Sequence, residues 1–192
     1  MNTQARVAVL VGSLRKGSYS RMTAKELIAL APNNLTCEIV EIGSLPLYNQ
    51  DLDDQKTPAP EWIAFRDRIR PMDAALFVTP EYNRSVPGVL KNAIDVGSRP
   101  YGKSVWIKKP AAVVSVSPGA IGGFGANHHL RQMLVFLDMP TLQQPEAYIG
   151  NVTKLFDSNG RLTSDSTRKF MRTIIDAFAG WIERTAPVSA HA

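Results

Sequence analysis

A single cysteine, Cys37, is all the thiol chemistry this chain can offer. No intrachain disulfide and no cysteine-built metal centre can form from it. Its surroundings, Leu35 to Ile42, read as a strand, where a lone cysteine serves as a small apolar residue. Histidine is nearly as scarce, with three in the chain. His128 and His129 are neighbours near the start of a helix and face different directions there, so they do not make a metal site. His191 stands in a C-terminal tail expected to fray. No apolar run reaches the roughly 18 residues that a membrane span needs. The opening MNTQARVAVLVGS lacks the apolar region and cleavage site of a secretory signal. A cytoplasmic protein is expected. The net charge of +5 comes from scattered Lys and Arg, with no basic stripe or tail and no helix-turn-helix or zinc pattern. Neither nucleic acid nor a membrane is an expected partner, and the surplus reads as a mild attraction for small anions.

What is present is an alternation of buried strands and amphipathic helices. Arg6 to Val11 is a near-continuous apolar run, as expected of a parallel strand covered on both faces. A helix over Arg21 to Ala31 and a strand over Leu35 to Ile42 complete a β-α-β unit, the building block of parallel sheets. Gly43 to Pro60 is irregular, rich in Asp and holding three prolines. Then come a helix over Glu61 to Ile69, a strand over Ala74 to Thr79, and a helix opening near Pro87 and carrying Val89, Leu90, Ala93 and Ile94. A strand over Ala111 to Val116 and a helix over Asn127 to Leu137 follow. A short fifth strand is expected within Thr141 to Pro145. A final helix over Ser164 to Arg184 places Phe170, Ile174, Phe178 and Trp181 at helical spacing. No linker divides residues 1–192, and no repeat recurs. The expectation is one α/β domain whose five parallel strands are ordered 2-1-3-4-5.

Ligands of open α/β sheets bind outside the carboxyl ends of the strands. Three strands end in loops of unusual composition: GSLRKGSYS, PEYNRSVPG and SPGAIGGFG. In the expected order those strands are adjacent, so the loops converge. The first loop leads into a helix start, where free N–H groups and the helix dipole favour an anion. Ser13, Ser18 and Ser20 add hydroxyls, Arg15 adds a bidentate donor, and Gly12 and Gly17 permit the turns. The plainer reading is a loop of serine helix caps. Gly12 and Gly17 match the spacing of a nucleotide P-loop, but Ser18 and Tyr19 replace its Lys and Ser/Thr. The G-x-G-x-x-G dinucleotide pattern is missing as well. A terminal phosphate monoester fits this loop better than a nucleoside triphosphate. The second loop offers Pro80, Glu81, Tyr82, Asn83 and Arg84 to the edge of a planar heterocycle, or else is an ordinary Asn/Pro turn. The third, with Gly119, Gly122, Gly123 and Gly125, allows close backbone approach to a ligand or is simply mobile.

GSLRKGSYS and PEYNRSVPGVLKNAID together resemble the NADPH-dependent FMN reductase family. The likeness extends through HLRQ at His129 to Gln132 and VFLD at Val135 to Asp138, and covers most of the chain. That family includes bacterial chromate, quinone and azo-dye reductases. The resemblance implies a flavodoxin-like three-layer fold with noncovalent FMN and with NADPH or NADH as electron donor. It implies that Ser13, Arg15, Ser18 and Ser20, with backbone near Tyr19 and Arg21, hold the FMN phosphate. It further implies that Pro80 to Arg84 line the ring, and that Ser117, Pro118, Gly119 and Gly122 close its other edge. It implies a homodimer or homotetramer. Val96 departs from the Trp of many relatives, and Arg84 from the Tyr of some.

The hydride chemistry of such a protein belongs to the cofactor, so no catalytic acid or base is expected. Glu81 suits a structural role as well as a ring contact. If one open face of the ring serves donor and acceptor in turn, ping-pong kinetics follow, with quinones, azo dyes, chromate or free flavin as acceptors. Two rivals stand beside this expectation. An electron carrier with FMN but no NAD(P)H turnover is disfavoured by the basic charge and by Arg15. A nucleotide-binding module is disfavoured by the missing P-loop lysine.

Overall fold

The computed structural model describes residues 4–185, so His191 lies outside the described residues. Five parallel strands form one sheet: β1 (Ala5–Val11), β2 (Leu35–Ile39), β3 (Ala74–Pro80), β4 (Ala111–Val116) and β5 (Ala147–Ile149), in the order β2-β1-β3-β4-β5. The expected order is the observed one. Six helices surround it: α1 (Tyr19–Ala29), α2 (Gln50–Asp54), α3 (Pro60–Ile69), α4 (Gly88–Gly97), α5 (Phe124–Phe136) and α6 (Asp165–Thr185).

Alternation along the strands divides the core in two. Val7, Val9, Val11, Leu76, Val78 and Val114 face α1 and α6. Ala8, Leu10, Phe77 and Val113 face α3, α4 and α5. Both faces are covered, which explains why β1, β3 and β4 read as continuous apolar runs.

Several expectations shift. Helix α5, expected from Asn127, begins at Phe124. Helix α1 begins at Tyr19 rather than Arg21, because Ser18 supplies its cap. Strand β2 ends at Ile39. The fifth strand is not Thr141 to Pro145: Thr141 makes only an isolated bridge to Ala111, and the chain pairs with β4 at Ala147 to Ile149. Pro140 and Pro145, each without an N–H of its own, bracket the segment, whose Leu142 N–H donates to Ala111 O at 2.8 Å without extending into a ladder. In α6 the buried stripe is Met171, Ile174, Ile175, Phe178 and Ile182, while Phe170 is exposed. The irregular stretch from Gly43 also contains α2, capped by Asn49, whose side chain accepts the Asp51 N–H.

The candidate cofactor site

The three loops follow β1, β3 and β4, which are adjacent in the sheet, and so lie along one edge. The first starts where Gly12 donates to Val78 O. A Cβ at Gly12 would meet Pro80 Cδ and Thr79 Oγ1 at 3.1 Å and Leu90 Cδ2 at 3.2 Å. Only glycine lets the first two loops approach this closely.

Beyond Gly12 the backbone amides are without internal partners. Among the described residues, no N–H from Ser13 to Ser20 donates to a protein acceptor. Ser13 and Ser20 are buried, yet their hydroxyls make no hydrogen bond and are not sealed off. Arg15 is exposed. Ser18 Oγ accepts the Arg21 N–H at 3.1 Å, which uses one of its two lone pairs and leaves its hydrogen to donate. A run of free amides at a helix start, with open serine hydroxyls and a free guanidinium, is a donor set that a phosphate dianion satisfies.

Arg21 does not join this cradle. Its amide is consumed by the cap, and its guanidinium is paired with both oxygens of Glu41 at 2.8 and 2.6 Å. That hydrogen bond holds the Glu41 carboxyl below its usual value and raises Arg21 further. The pair fastens α1 to the end of β2. The loop after β2 also braces the cradle, since a Cβ on Gly43 would touch Leu14 Cδ2 at 3.0 Å.

In the second loop, Tyr82 and Ser85 exchange backbone hydrogen bonds of 2.9 and 3.0 Å. Asn83 and Arg84 between them have φ of 50° and 65°. Positive φ at both central residues is the type I′ pattern, common for Asn and unusual for Arg. The turn is tight, and it holds Tyr82 exposed beside the first loop. Gly12, Leu14, Arg15, Tyr82, Pro87 and Gly88 line an open cleft of about 390 Å³.

Glu81 turns away from that cleft. Its Oε2 accepts the Ala126 N–H at 3.0 Å in the first turn of α5, and Arg84 approaches Oε1 at 3.7 Å. Gly122, Gly123 and Gly125 of the third loop answer to packing, whereas a Cβ on Gly119 would meet only Ser117 Oγ at 3.6 Å. A Cβ on Gly122 would lie 2.7 Å from the Tyr148 carbonyl carbon, and one on Gly125 would lie 2.8 Å from Arg84 O. Gly122 is thus packed against β5 on the side where a Cβ would stand. Ser117, Pro118 and Gly119 remain at the edge, with Gly119 N–H donating to Ser117 Oγ at 3.1 Å.

The first turn of α4, which closes the cleft, carries no expected site residue. The Pro87-Gly88 pair at a loop-to-helix junction was its signal in the sequence. Asn92, one turn on, is buried: its Oδ1 accepts the Tyr48 N–H and its Nδ2 donates to Pro46 O, both at 2.9 Å. It thereby pins the loop after β2. Val96 is buried too, and its carbonyl accepts Arg66 Nε at 2.9 Å. His128 bonds Tyr148 Oη and His129 bonds Ser85 Oγ, so the two rings serve different elements. A second cleft of about 340 Å³ along α3 shares no residue with the three loops.

The family described as NADPH-dependent FMN reductase matches residues 5–154. The chain belongs to that family. It is 63% identical over 177 residues to a quinone reductase of Pseudomonas putida, covering 92% of this chain and 94% of the relative. It is 46% identical over 177 residues to the 2-hydroxy-1,4-benzoquinone reductase of a Burkholderia species, covering 92% and 96%. Among solved structures it is similar to FerB, the flavoenzyme NAD(P)H:(acceptor) oxidoreductase of Paracoccus denitrificans. The TM-score there is 0.87 at 43% identity, over 95% of this chain and all of that one. The family's FMN is a phosphate monoester on a flat ring system. The free amides after β1 fit its phosphate, and the open cleft beside Tyr82 fits a planar group.

Proposed function

We propose that this FMN reductase family member passes electrons from NAD(P)H to quinones, using FMN held at the three loops. The observation that carries the reading is the cradle itself: unpaired N–H groups from Ser13 to Ser20 at the start of α1, with Arg15 unpaired above them. Quinones are the acceptor class because quinone reductases share most of this chain's length at high identity.

When bound, FMN supplies hydride acceptance and release, which no side chain here can provide. The chain's own residues position it. The amides of Ser13 to Ser20 and the hydroxyls of Ser13, Ser18 and Ser20 hold the phosphate, and Arg15 offsets its charge. Pro80, Tyr82, Asn83 and Arg84 border the ring on a turn fixed by the Tyr82–Ser85 bonds. Ser117, Pro118 and Gly119 close the other edge. Arg21, Glu81 and Gly122 support these loops from behind. With one open face of the ring serving both, donor and acceptor follow each other in turn. Chromate and azo dyes belong to the same reading as further acceptors, as do a cytoplasmic setting and a homodimeric or homotetrameric assembly. Among the described residues no helix is long and apolar enough to cross a membrane.

The test is ligand choice combined with turnover. The protein binds FMN far more tightly than riboflavin, which has the ring but no phosphate. The loaded protein oxidises NADPH when benzoquinone is supplied. Equal affinity for the two flavins contradicts the cradle, and FMN binding without NADPH oxidation contradicts the reductase reading.

A further inference from the structure

Across the three loops Glu81 is the one acidic residue. Its carboxylate is enclosed, with the side chain 13% exposed. Enclosing a charge is costly unless it is paired and hydrogen-bonded. One oxygen accepts the Ala126 N–H at 3.0 Å, inside the first turn of α5, where the helix dipole favours a negative group. The other faces Arg84 at 3.7 Å, beyond hydrogen-bond range, from a guanidinium that is 80% exposed. So distant and solvated a partner neutralises little of the charge.

The chain makes room for this carboxylate. Gly125 stands in the first turn of α5, where a Cβ would lie 3.0 Å from Glu81 Oε2 and 2.8 Å from Arg84 O. Yet capping alone does not require a charge. A glutamine oxygen accepts the same N–H. What only glutamate supplies is a fixed negative charge, poorly screened, between the Pro80–Ser85 turn and the loop after β4.

We propose that Glu81 is a positioning residue with a second role: it joins these two loops through Ala126, and its charge lowers the reduction potential of the flavin held between them. The proposal rests on the FMN reading given above. A nearby anion opposes the arrival of electrons and favours passing them on to an acceptor.

The two roles separate in Glu81→Gln and Glu81→Ala. The first keeps the acceptor and removes the charge, and the second removes both. The readouts are FMN affinity and the midpoint potential of bound FMN, measured by reductive titration against a reference dye. Glu81→Gln retains oxidised FMN within about threefold of the parent. It gains at least about tenfold in affinity for reduced relative to oxidised FMN, which for a two-electron couple is about 30 mV upward. Glu81→Ala weakens oxidised FMN by about tenfold, the effect of losing a charge-assisted hydrogen bond. A Gln variant with the parent potential, or a lower one, overturns the proposal and leaves Glu81 as a cap alone. Should the Gln variant not fold, Glu81→Ala decides on the potential, because it removes the same charge: a rise of at least about 30 mV supports the proposal, and an unchanged or lower potential overturns it. A parent protein that fails to bind FMN sinks the cofactor reading instead.

Discussion

Ser18 Oγ accepts the backbone N–H of Arg21 at 3.1 Å, closing the first turn of α1 from within the loop that precedes it. One serine thus caps the helix while the amides before it stay free. Ser18→Ala loses the cap and costs about 1 kcal/mol of stability, seen as a lower Tm. Arg15, whose side chain makes no hydrogen bond or ion pair among the described residues, is dispensable for the fold: Arg15→Ala leaves Tm unchanged and weakens FMN binding by about tenfold or more. Calorimetry and a flavin titration on the two variants separate them. A loss of Tm in the Arg15 variant contradicts its assignment to the ligand.

Gly12→Ala tests the junction of the first two loops. The new methyl meets Pro80, Thr79 and Leu90 at 3.1–3.2 Å, two of them close to the sheet backbone. Overpacking of this kind costs about 1–3 kcal/mol. The same change at Gly17, where a Cβ meets nothing within 4 Å, leaves Tm nearly unmoved. Equal Tm values for the two variants contradict the geometry.

The fold was largely legible because apolar runs and helical spacing report burial directly. Residues 111 to 116 could hardly be anything but a strand covered on both faces. The fifth strand was not, since β5 is three residues long, too short for an apolar run or an alternation to mark it. At the site, the side chains of Ser13, Arg15 and Ser20 make no hydrogen bond among the described residues. Arg21, Glu81 and Gly122 are engaged by Glu41, Ala126 and Tyr148, partners remote in sequence. A string of residues says which groups are available for a ligand, but not which are already spent on long-range contacts. Asn92 escaped notice for the same reason: the Tyr48 and Pro46 groups it satisfies lie in a loop more than forty residues away.

Acid stability follows from Asp53. Its carboxylate accepts both Arg66 Nη groups at 2.9 and 2.7 Å, with the side chains 2% and 7% exposed. The hydrogen bonds from Arg66 hold it below its ordinary 3.8, against the opposing pull of burial. A carboxyl whose folded pKa is depressed stabilises the fold fully above the unfolded value, and that contribution fades as pH falls through the folded one. Denaturation midpoints are therefore flat from neutrality down to about pH 5 and decline below about pH 4. Asp53→Asn leaves Arg66 charged and unpaired, costs about 3–5 kcal/mol, and reduces the acid decline. An Asn variant that keeps the full acid dependence contradicts this assignment.

Cys37 is half-buried in β2, and burial pushes its thiol up to about 11. Little thiolate forms at pH 8, and thiolate is the reactive species. A thiol reagent at that pH modifies the native protein much more slowly than the denatured one. Equal rates contradict the placement of this side chain.

The most direct measurement separates the two halves of turnover without oxygen. The FMN-loaded protein is mixed with NADPH alone and its flavin absorbance followed, and then benzoquinone is added to the bleached protein. Bleaching by NADPH followed by full recovery with quinone is the predicted result. A bound flavin that NADPH fails to bleach, or that stays bleached in the presence of quinone, contradicts the assignment of this chain as a quinone-reducing member of its family.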